Sequence, residues 1–443
     1  MKRIFNLVSL GCPKNLVDSE VVYGLLEEAG WQGVDDPEEA AVLIINTCGF
    51  IQPAVEESIE EILQLAAYKS KDPTKKLVVI GCLVQRYREK LEAELEEVDL
   101  LVGTEGVPQV AALLDSLVEG KQLDALIIAD PFLMSSALPR RRSTPFYRAW
   151  LKITEGCDNH CSYCMIPSIR GRLRSRSEED LIQEARDLAA GGVRELSLVA
   201  QDLTAYGTDL YGKRRLESLV TRLLDETSVD WIRLLYLYPS TVSPELLDII
   251  GGNSRVVPYL DIPLQHISSK ILKAMNRRYT REEVIGLVND IRIRVPDAAL
   301  RTTLLLGFPG ESEEDVREVE VFLREMELDH VGVFGYANEE GSAAEKFSRQ
   351  VEEEEKQARL ERIIALQAEI SQRRLKRFVN TVEPVLIEGV SRETDLLLEG
   401  RTRYQAPDID GCVLINEGDT RFGEIVDVEI TEAQTYDLIG RIV

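Results

Sequence analysis

Three runs near the start of the chain, IFNLVSLGC, AVLIINTC and KLVVIGC, are apolar and β-branched, and each gives way to apolar residues at helical spacing: LVDSEVVYGLLEEAG, AVEESIEEILQLAAY and REKLEAELEE. Continuous apolar strands alternating with helices predict a parallel sheet covered on both faces. A second series follows: LKIT, ELSLVAQD, WIRLLYLY, VVPYLDIPLQH, ALRTTLLLGFPGE and HVGVFGYANEEG, separated by helical segments such as EEDLIQEARDLAAGG and REEVIGLVNDIRIRV. Six strand/helix repeats fall short of the eight that close a full barrel, so a partial (β/α)6 barrel with an open side is expected. EEEEKQARLERIIALQAEISQRRLKRF reads as one charged amphipathic helix with its charges in solvent. Short glycine-punctuated strands from about Thr381 onward predict a small all-β barrel of about five strands.

The fold class is therefore α/β multidomain. Expected units are residues 1–127, a Pro/Ser/Arg-rich linker at 128–147, the partial barrel at 148–376 and the small barrel at 377–443. A chain of 443 residues with 44% apolar and 29% charged residues suits such a division. No run approaches the ~18–20 apolar residues that span a bilayer, and the start lacks a secretory pattern, so a cytoplasmic protein with no membrane contact is expected.

Net charge is −25, which argues against a general hold on nucleic acid phosphates. The small barrel carries 14 acidic against 7 basic residues between Lys376 and Val443, a balance that fits a basic protein partner better than RNA. Seven cysteines without a secretory signal point to metal or catalytic thiols rather than disulfides.

Cys12, Cys48 and Cys82 each end one of the first three apolar runs. Right-handed crossovers put strand C-termini on one edge, so the three thiols are predicted to converge where such sheets bind ligands. The plain alternative is three buried structural cysteines. Zinc would want a fourth ligand, and the histidines are His160, His266 and His330.

Cys157, Cys161 and Cys164 form C-x3-C-x2-C after a short strand. Three thiolates can hold three irons of a 4Fe-4S cube and leave the fourth open to a ligand. Zinc on these three plus His160 is a weaker alternative, because His160 and Cys161 are adjacent and point apart. Cys412, in GCVLIN, reads as a core residue.

Polar, glycine and proline residues cluster at the strand ends of the second series: Gln201 and Asp202, Pro239 and Ser240, Gln265 and His266, Gly307 to Glu311, Asn338 and Glu339. That face holds the chemistry in barrels, although each residue could equally be a turn or cap. Arg170, Arg172, Arg174 and Arg176 could meet carboxylates through their guanidinium forks, or simply face solvent or an acidic surface. LYLYPST, Leu235 to Thr241, is read as packing in the third strand with a tip at the site end, and supplies no ligand, acid or base.

The C-x3-C-x2-C spacing matches the radical S-adenosylmethionine (SAM) superfamily, in which the residue before the last cysteine lies by the adenine; Tyr163 takes that place. With LGCPKNLVDSE, NTCGF, GCLVQRY, DIPLQH and RTTLLLGFPGE, nearly the whole chain resembles the methylthiotransferase family, with its N-terminal cluster domain, radical-SAM domain and TRAM domain. The resemblance implies a 4Fe-4S cluster on Cys12, Cys48 and Cys82, a second on Cys157, Cys161 and Cys164, and two SAM per turnover. It also implies a sulfide or persulfide sulfur source and a reductant such as flavodoxin. Tyr163, Gln201 and Arg174 are the SAM contacts expected beyond the clusters, and no catalytic residue is expected beyond the clusters.

GCPKN rather than GCQMN, and YLYPS where tRNA-modifying relatives have TSHP, resemble the branch that modifies the β-carbon of an aspartate in ribosomal protein number twelve of the small subunit, with the ribosome as one setting for that reaction. A tRNA adenosine methylthiotransferase is the closest rival. A cobalamin-dependent radical methylase would want a histidine below the cobalt, and none precedes His160. An iron–sulfur electron carrier or assembly factor is the non-enzymatic reading.

Overall fold

The computed structural model describes residues 3–392 and 394–443. Its first layer is a six-stranded, wholly parallel sheet: β1 (Ile4–Ser9), β2 (Gln32–Gly33), β3 (Val42–Thr47), β4 (Lys76–Gly81), β5 (Leu100–Val102) and β6 (Leu126–Ile127), in the order β2-β1-β3-β4-β5-β6. Alternate residues of the central strands enter different cores. Val42, Ile44, Val78 and Ile80 pack with α1 (Pro13–Glu28), whereas Leu43, Ile45, Leu77 and Val79 pack with α2 (Gln52–Lys71). Both faces are thus dry, which is why the strands read as continuous apolar runs.

Residues 128–147 carry no helix or strand, yet the segment is held down. Arg140 binds Glu20 at 2.6 Å and Glu184 at 2.6 Å, and the Ser143 amide donates to Glu20 at 2.8 Å. One buried fork therefore ties helix α1 to the next domain.

That domain opens with β7 (Arg148–Lys152), and a short antiparallel pair, β8 (Thr154–Glu155) and β9 (Arg174–Ser175), brackets the loop that carries Cys157, Cys161 and Cys164. Five more parallel strands follow: β10 (Glu195–Val199), β11 (Trp231–Leu234), β12 (Val256–Asp261), β13 (Ala299–Leu306) and β14 (His330–Gly335). They pair consecutively from β7 to β14 in a six-stranded sheet that does not close. This is the expected partial (β/α)6 barrel.

The last unit is a closed five-stranded barrel, β15 (Val382–Val390), β16 (Leu398–Thr402), β17 (Val413–Glu417), β18 (Ile425–Ala433) and β19 (Leu438–Ile442). It docks on the strand beginnings of the partial barrel, at the opposite end from the cysteines. Arg401 reaches Glu195, the first residue of β10, at 2.5 Å; Arg148, the first of β7, meets Asp408 at 2.8 Å; and the Tyr259 hydroxyl donates to Asp410 at 2.6 Å. Part of the small barrel's acidity is thereby spent inside the molecule.

Two local expectations need correction. The helix Glu353–Leu375 forms, but its charges are not all in solvent: Arg359 is buried against Glu311 at 2.7 Å. The run WIRLLYLY leaves the sheet at Leu234, and Tyr236 turns to φ +64°. Periodicity alone continues a strand through residues that in fact build a bend.

Candidate functional site

Each of the first three cysteines follows its strand at once. Gly11, at φ +89°, turns the chain after β1, and Cys12 sits just before helix α1 with Pro13 in the first turn. A β-carbon on Gly11 would lie 2.9 Å from Cβ of Cys48, so this close approach of two strand tips requires glycine. Gly81, at φ +103°, does the same before Cys82, where a β-carbon would meet Oδ1 of Asn46 at 2.2 Å. Asn46 in turn donates to the Asn15 carbonyl (3.0 Å) and the Ser19 hydroxyl (2.8 Å), fixing helix α1 against the strand ends.

The second set sits in the loop after β8. The Asn159 amide points at Sγ of Cys157 (3.4 Å), the Ile166 amide at Sγ of Cys164 (3.5 Å), and Nη1 of Arg277 at Sγ of Cys161 (3.5 Å). Donors aimed at sulfur favour the thiolate that a metal needs.

All six cysteines line one cavity of about 360 Å³, which opens between the sheet domain and the C-terminal ends of the partial barrel's strands. Among the described residues no three His, Cys, Asp or Glu side chains converge on a single-ion site. Burial pushes the Cys82 and Cys164 thiols up to about 12 and Cys157 up to about 11, so these three, without a metal, are protonated at neutral pH.

Of the residues expected near SAM, Tyr163 and Gln201 line the cavity. Tyr163 packs against Ile271, Met275, Phe308 and Tyr336. Gln201 donates weakly to Glu155 (3.4 Å), while its buried Oε1 has no partner. Arg174 does not line the cavity. Its guanidinium lies 2.7 Å from Glu105 in the sheet domain.

Arg170 is the arginine that reaches the site. Buried at the domain seam, it donates to Asp18 (2.6 Å), Glu155 (3.3 Å), Oδ1 of Asn15 (3.0 Å) and, through Nε and Nη2, Sγ of Cys82 (3.3 and 3.1 Å). Lys152 completes this network on Asp18 and on Glu155 (2.8 Å). Burial would raise the Glu155 carboxyl, but Lys152 and Arg170 outweigh it and hold it down to about 2. A second clamp joins Arg86, just after Cys82, to Glu339 beyond β14 at 2.9 Å.

The other strand-end residues divide. Asp202 and Gln265 line the cavity. Pro239, Ser240, Asn338, Glu339 and Gly307 to Glu311 do not. His266 also lies outside the lining, buried 3.3 Å from Glu311, with Nδ1 accepting from the Ser268 amide (2.9 Å). It is held in a structural network with Arg359 rather than aimed at the site. Tyr236 and Tyr238 of LYLYPST line the cavity too, and Lys14, Asn15, Asn159 and Arg277 do so without having been singled out for it by the sequence. Lys14 and Asn15 follow Cys12 in GCPKN, so proximity to a ligand cysteine was the available signal; Arg277 carried none.

A six-stranded open parallel barrel whose first loop carries C-x3-C-x2-C defines a radical SAM enzyme, and the Radical SAM superfamily profile matches residues 151–323. The profile described as "Uncharacterized protein family UPF0004" matches residues 4–103, and the TRAM domain profile matches 380–443. The chain is 57% identical to the ribosomal protein uS12 methylthiotransferase RimO of Desulfotalea psychrophila over 99% of both chains. It is 47% identical to the RimO of Geotalea uraniireducens, over 100% of this chain and 99% of that one. The chain therefore belongs to the RimO family of radical SAM methylthiotransferases, and it is a transferase.

Among solved structures, the radical SAM methyltransferase TsrM from Kitasatospora setae, with cobalamin and a [4Fe-4S] cluster bound, superposes with TM-score 0.56 at 18% identity. The match covers 76% of this chain and 75% of that one. The cobalamin-dependent enzyme OxsB gives 0.52 at 12% identity, covering 78% and 55%. These likenesses concern the fold alone. The expected family is the one found, and the tRNA-modifying alternative is not favoured. The family implies SAM and a 4Fe-4S cluster. Among the described residues no helix is long and apolar enough to cross a membrane.

Proposed function

We propose that this chain transfers a methylthio group to the β-carbon of an aspartate in ribosomal protein uS12, in the cytoplasm, with one 4Fe-4S cluster on Cys12, Cys48 and Cys82 and another on Cys157, Cys161 and Cys164. The observation that carries this reading is the single cavity into which both cysteine sets face. A three-thiol set would leave one iron of a cube open, and two such sets lining one cavity suit a reaction that activates carbon and delivers sulfur in one chamber. When bound, the clusters and SAM supply radical hydrogen abstraction and a sulfur, drawn from sulfide or persulfide, to be methylated and inserted. A low-potential reductant of the flavodoxin kind would feed electrons.

The chain's own residues bind, orient and shield. An unactivated carbon–hydrogen bond offers no acidic proton, so Asp202 has no base to play; it accepts from Asn159 (2.7 Å) and Thr204 (2.6 Å) and steadies the cysteine loop. Arg170 holds the Cys82 sulfur while bound to acids on both sides of the seam. Tyr163 and Gln201 offer a ring and an unpartnered carbonyl to SAM. Phe50, Ile166, Leu237 and Pro263 supply apolar wall.

The test is anaerobic reconstitution followed by iron and sulfide analysis and SAM turnover with uS12. Cys12→Ala should lose about half the iron and all methylthio transfer while still forming 5′-deoxyadenosine. Cys157→Ala should lose 5′-deoxyadenosine altogether. Wild-type protein that leaves the uS12 aspartate unmodified by mass spectrometry would overturn the substrate.

A further inference from the structure

Three cationic side chains line the cavity, and two are spoken for. Arg170 is bound to Asp18, Glu155, Asn15 and Cys82. Arg277 donates to the Tyr279 hydroxyl (2.7 Å), the Pro263 carbonyl and Cys161. Lys14 is different. It is 9% exposed, its Nζ donates one hydrogen bond, to the Ala200 carbonyl at 3.3 Å, and it lies 3.9 Å from the centre of the Tyr236 ring. Among the described residues no carboxylate stands within ion-pair distance of it. The acid lining this space, Asp202, is occupied by Asn159 and Thr204.

A buried ammonium that makes one long hydrogen bond keeps donors to spare, and an anion entering the cavity would supply the acceptors they lack. The site around it is built. Lys14 comes from the first turn of α1 in the sheet domain, and its two partners, Ala200 and Tyr236, lie at strand tips of the partial barrel, so the ammonium is placed where the domains meet. Tyr236 reaches it through a left-handed backbone conformation that aromatic residues rarely adopt. That bend is held from both sides: the Tyr236 amide donates to Asp261 (3.1 Å), and its carbonyl accepts from the Leu203 amide (3.0 Å).

We propose that Lys14 is the carboxylate-recognition residue of the cavity and receives the side-chain carboxylate of the substrate aspartate, setting the enzyme's choice of an acidic residue. This rests on the function proposed above. SAM also carries a carboxylate, so the test must separate the two sources.

Reconstituted full-length enzyme, held without reductant, is titrated into a fluorescent uS12 peptide bearing the target aspartate and into the same peptide with asparagine there. Wild type should bind the aspartyl peptide about tenfold or more tightly over the asparaginyl one, the scale of a charged hydrogen bond. Lys14→Met should erase that ratio by weakening the aspartyl peptide alone, and Lys14→Arg should restore part of it. SAM affinity, measured separately by equilibrium dialysis, should stay within about twofold. Should Lys14→Met misfold by circular dichroism, the wild-type ratio and Lys14→Arg still decide. A wild-type ratio near one overturns the proposal, as does a variant that loses SAM affinity while keeping the ratio. Failure of reduced wild-type enzyme to modify the aspartyl peptide would instead sink the function on which the proposal rests.

Discussion

Glu195 is the ionic centre of the joint between the two barrels, and replacing it with glutamine tests that joint. Its carboxylate takes Arg401 of the small barrel at 2.5 Å and Arg233 of β11 at 2.6 Å, with side chains 0–3% exposed. Burial alone would raise this carboxyl, but the two guanidiniums overcome it and hold the group down to about 2, against an ordinary 4.5. A shift of that size corresponds to about 3 kcal/mol favouring the ionised form in the folded protein. Glu195→Gln should therefore destabilise the chain by about 3 kcal/mol at pH 7, a size expected when one partner leaves a buried pair. Because the folded value lies below the unfolded one, the contribution is complete above about pH 4.5 and fades as pH falls toward 2. The gap between wild type and variant should shrink to about 1 kcal/mol at pH 3. Urea unfolding of the apoprotein, followed by tryptophan fluorescence, reads this directly, since Trp150 and Trp231 pack in the same core as Val385, Ile387 and Val413 of the small barrel. A gap that holds constant between pH 7 and pH 3, or one below about 1 kcal/mol at pH 7, would refute the reasoning.

Other consequences are narrower. Gly11→Ala places a β-carbon 2.9 Å from Cys48 at φ +89°, so the fold should survive at a cost of about 1–3 kcal/mol while iron bound after reconstitution drops by about half. Arg170→Met leaves Asp18 and Glu155 sharing Lys152 alone and strips two donors from Cys82; a loss of about 3–5 kcal/mol is expected by thermal or denaturant unfolding, and Arg170→Lys should rescue little because one ammonium replaces a fork. Arg86→Ala and Glu339→Gln should show a coupling of about 1–3 kcal/mol in a double-mutant cycle, and additive losses would mean that the clamp between sheet and barrel is not a working contact.

The parts of this molecule that were legible in the chain are those where local pattern and topology agree. Three β-branched runs ending in cysteine are enough to bring Cys12, Cys48 and Cys82 to one edge, because parallel strands with right-handed crossovers leave their C-terminal ends no other place. Long-range pairing is what the pattern lacked. Arg174 and Arg170 look alike in RGRLRSR, yet Glu105 takes the first and Asp18, Glu155 and Cys82 take the second, partners set by how two domains meet. Arg277 had no signal because it follows a short helix remote from every cysteine in sequence. His266 sits at a strand end, where a site residue and a plain cap read alike, and it is locked to Glu311.

The stretch LYLYPST shows why a packing reading can be half right. Leu235 and Leu237 do pack, at 1% and 0% exposure, but the strand has already ended at Leu234, and the bend at Tyr236 carries its ring to the ammonium of Lys14. Lys14 belongs to GCPKN and Tyr236 to YLYPS, two of the stretches on which the resemblance to the uS12-modifying branch rests. They lie more than two hundred residues apart and touch at 3.9 Å on the wall of the cavity. Discrimination between an acidic side chain and a nucleobase requires a feature beside the cysteines, and a contact between these two stretches, placing an ammonium with spare donors there, has the sign that an aspartate needs.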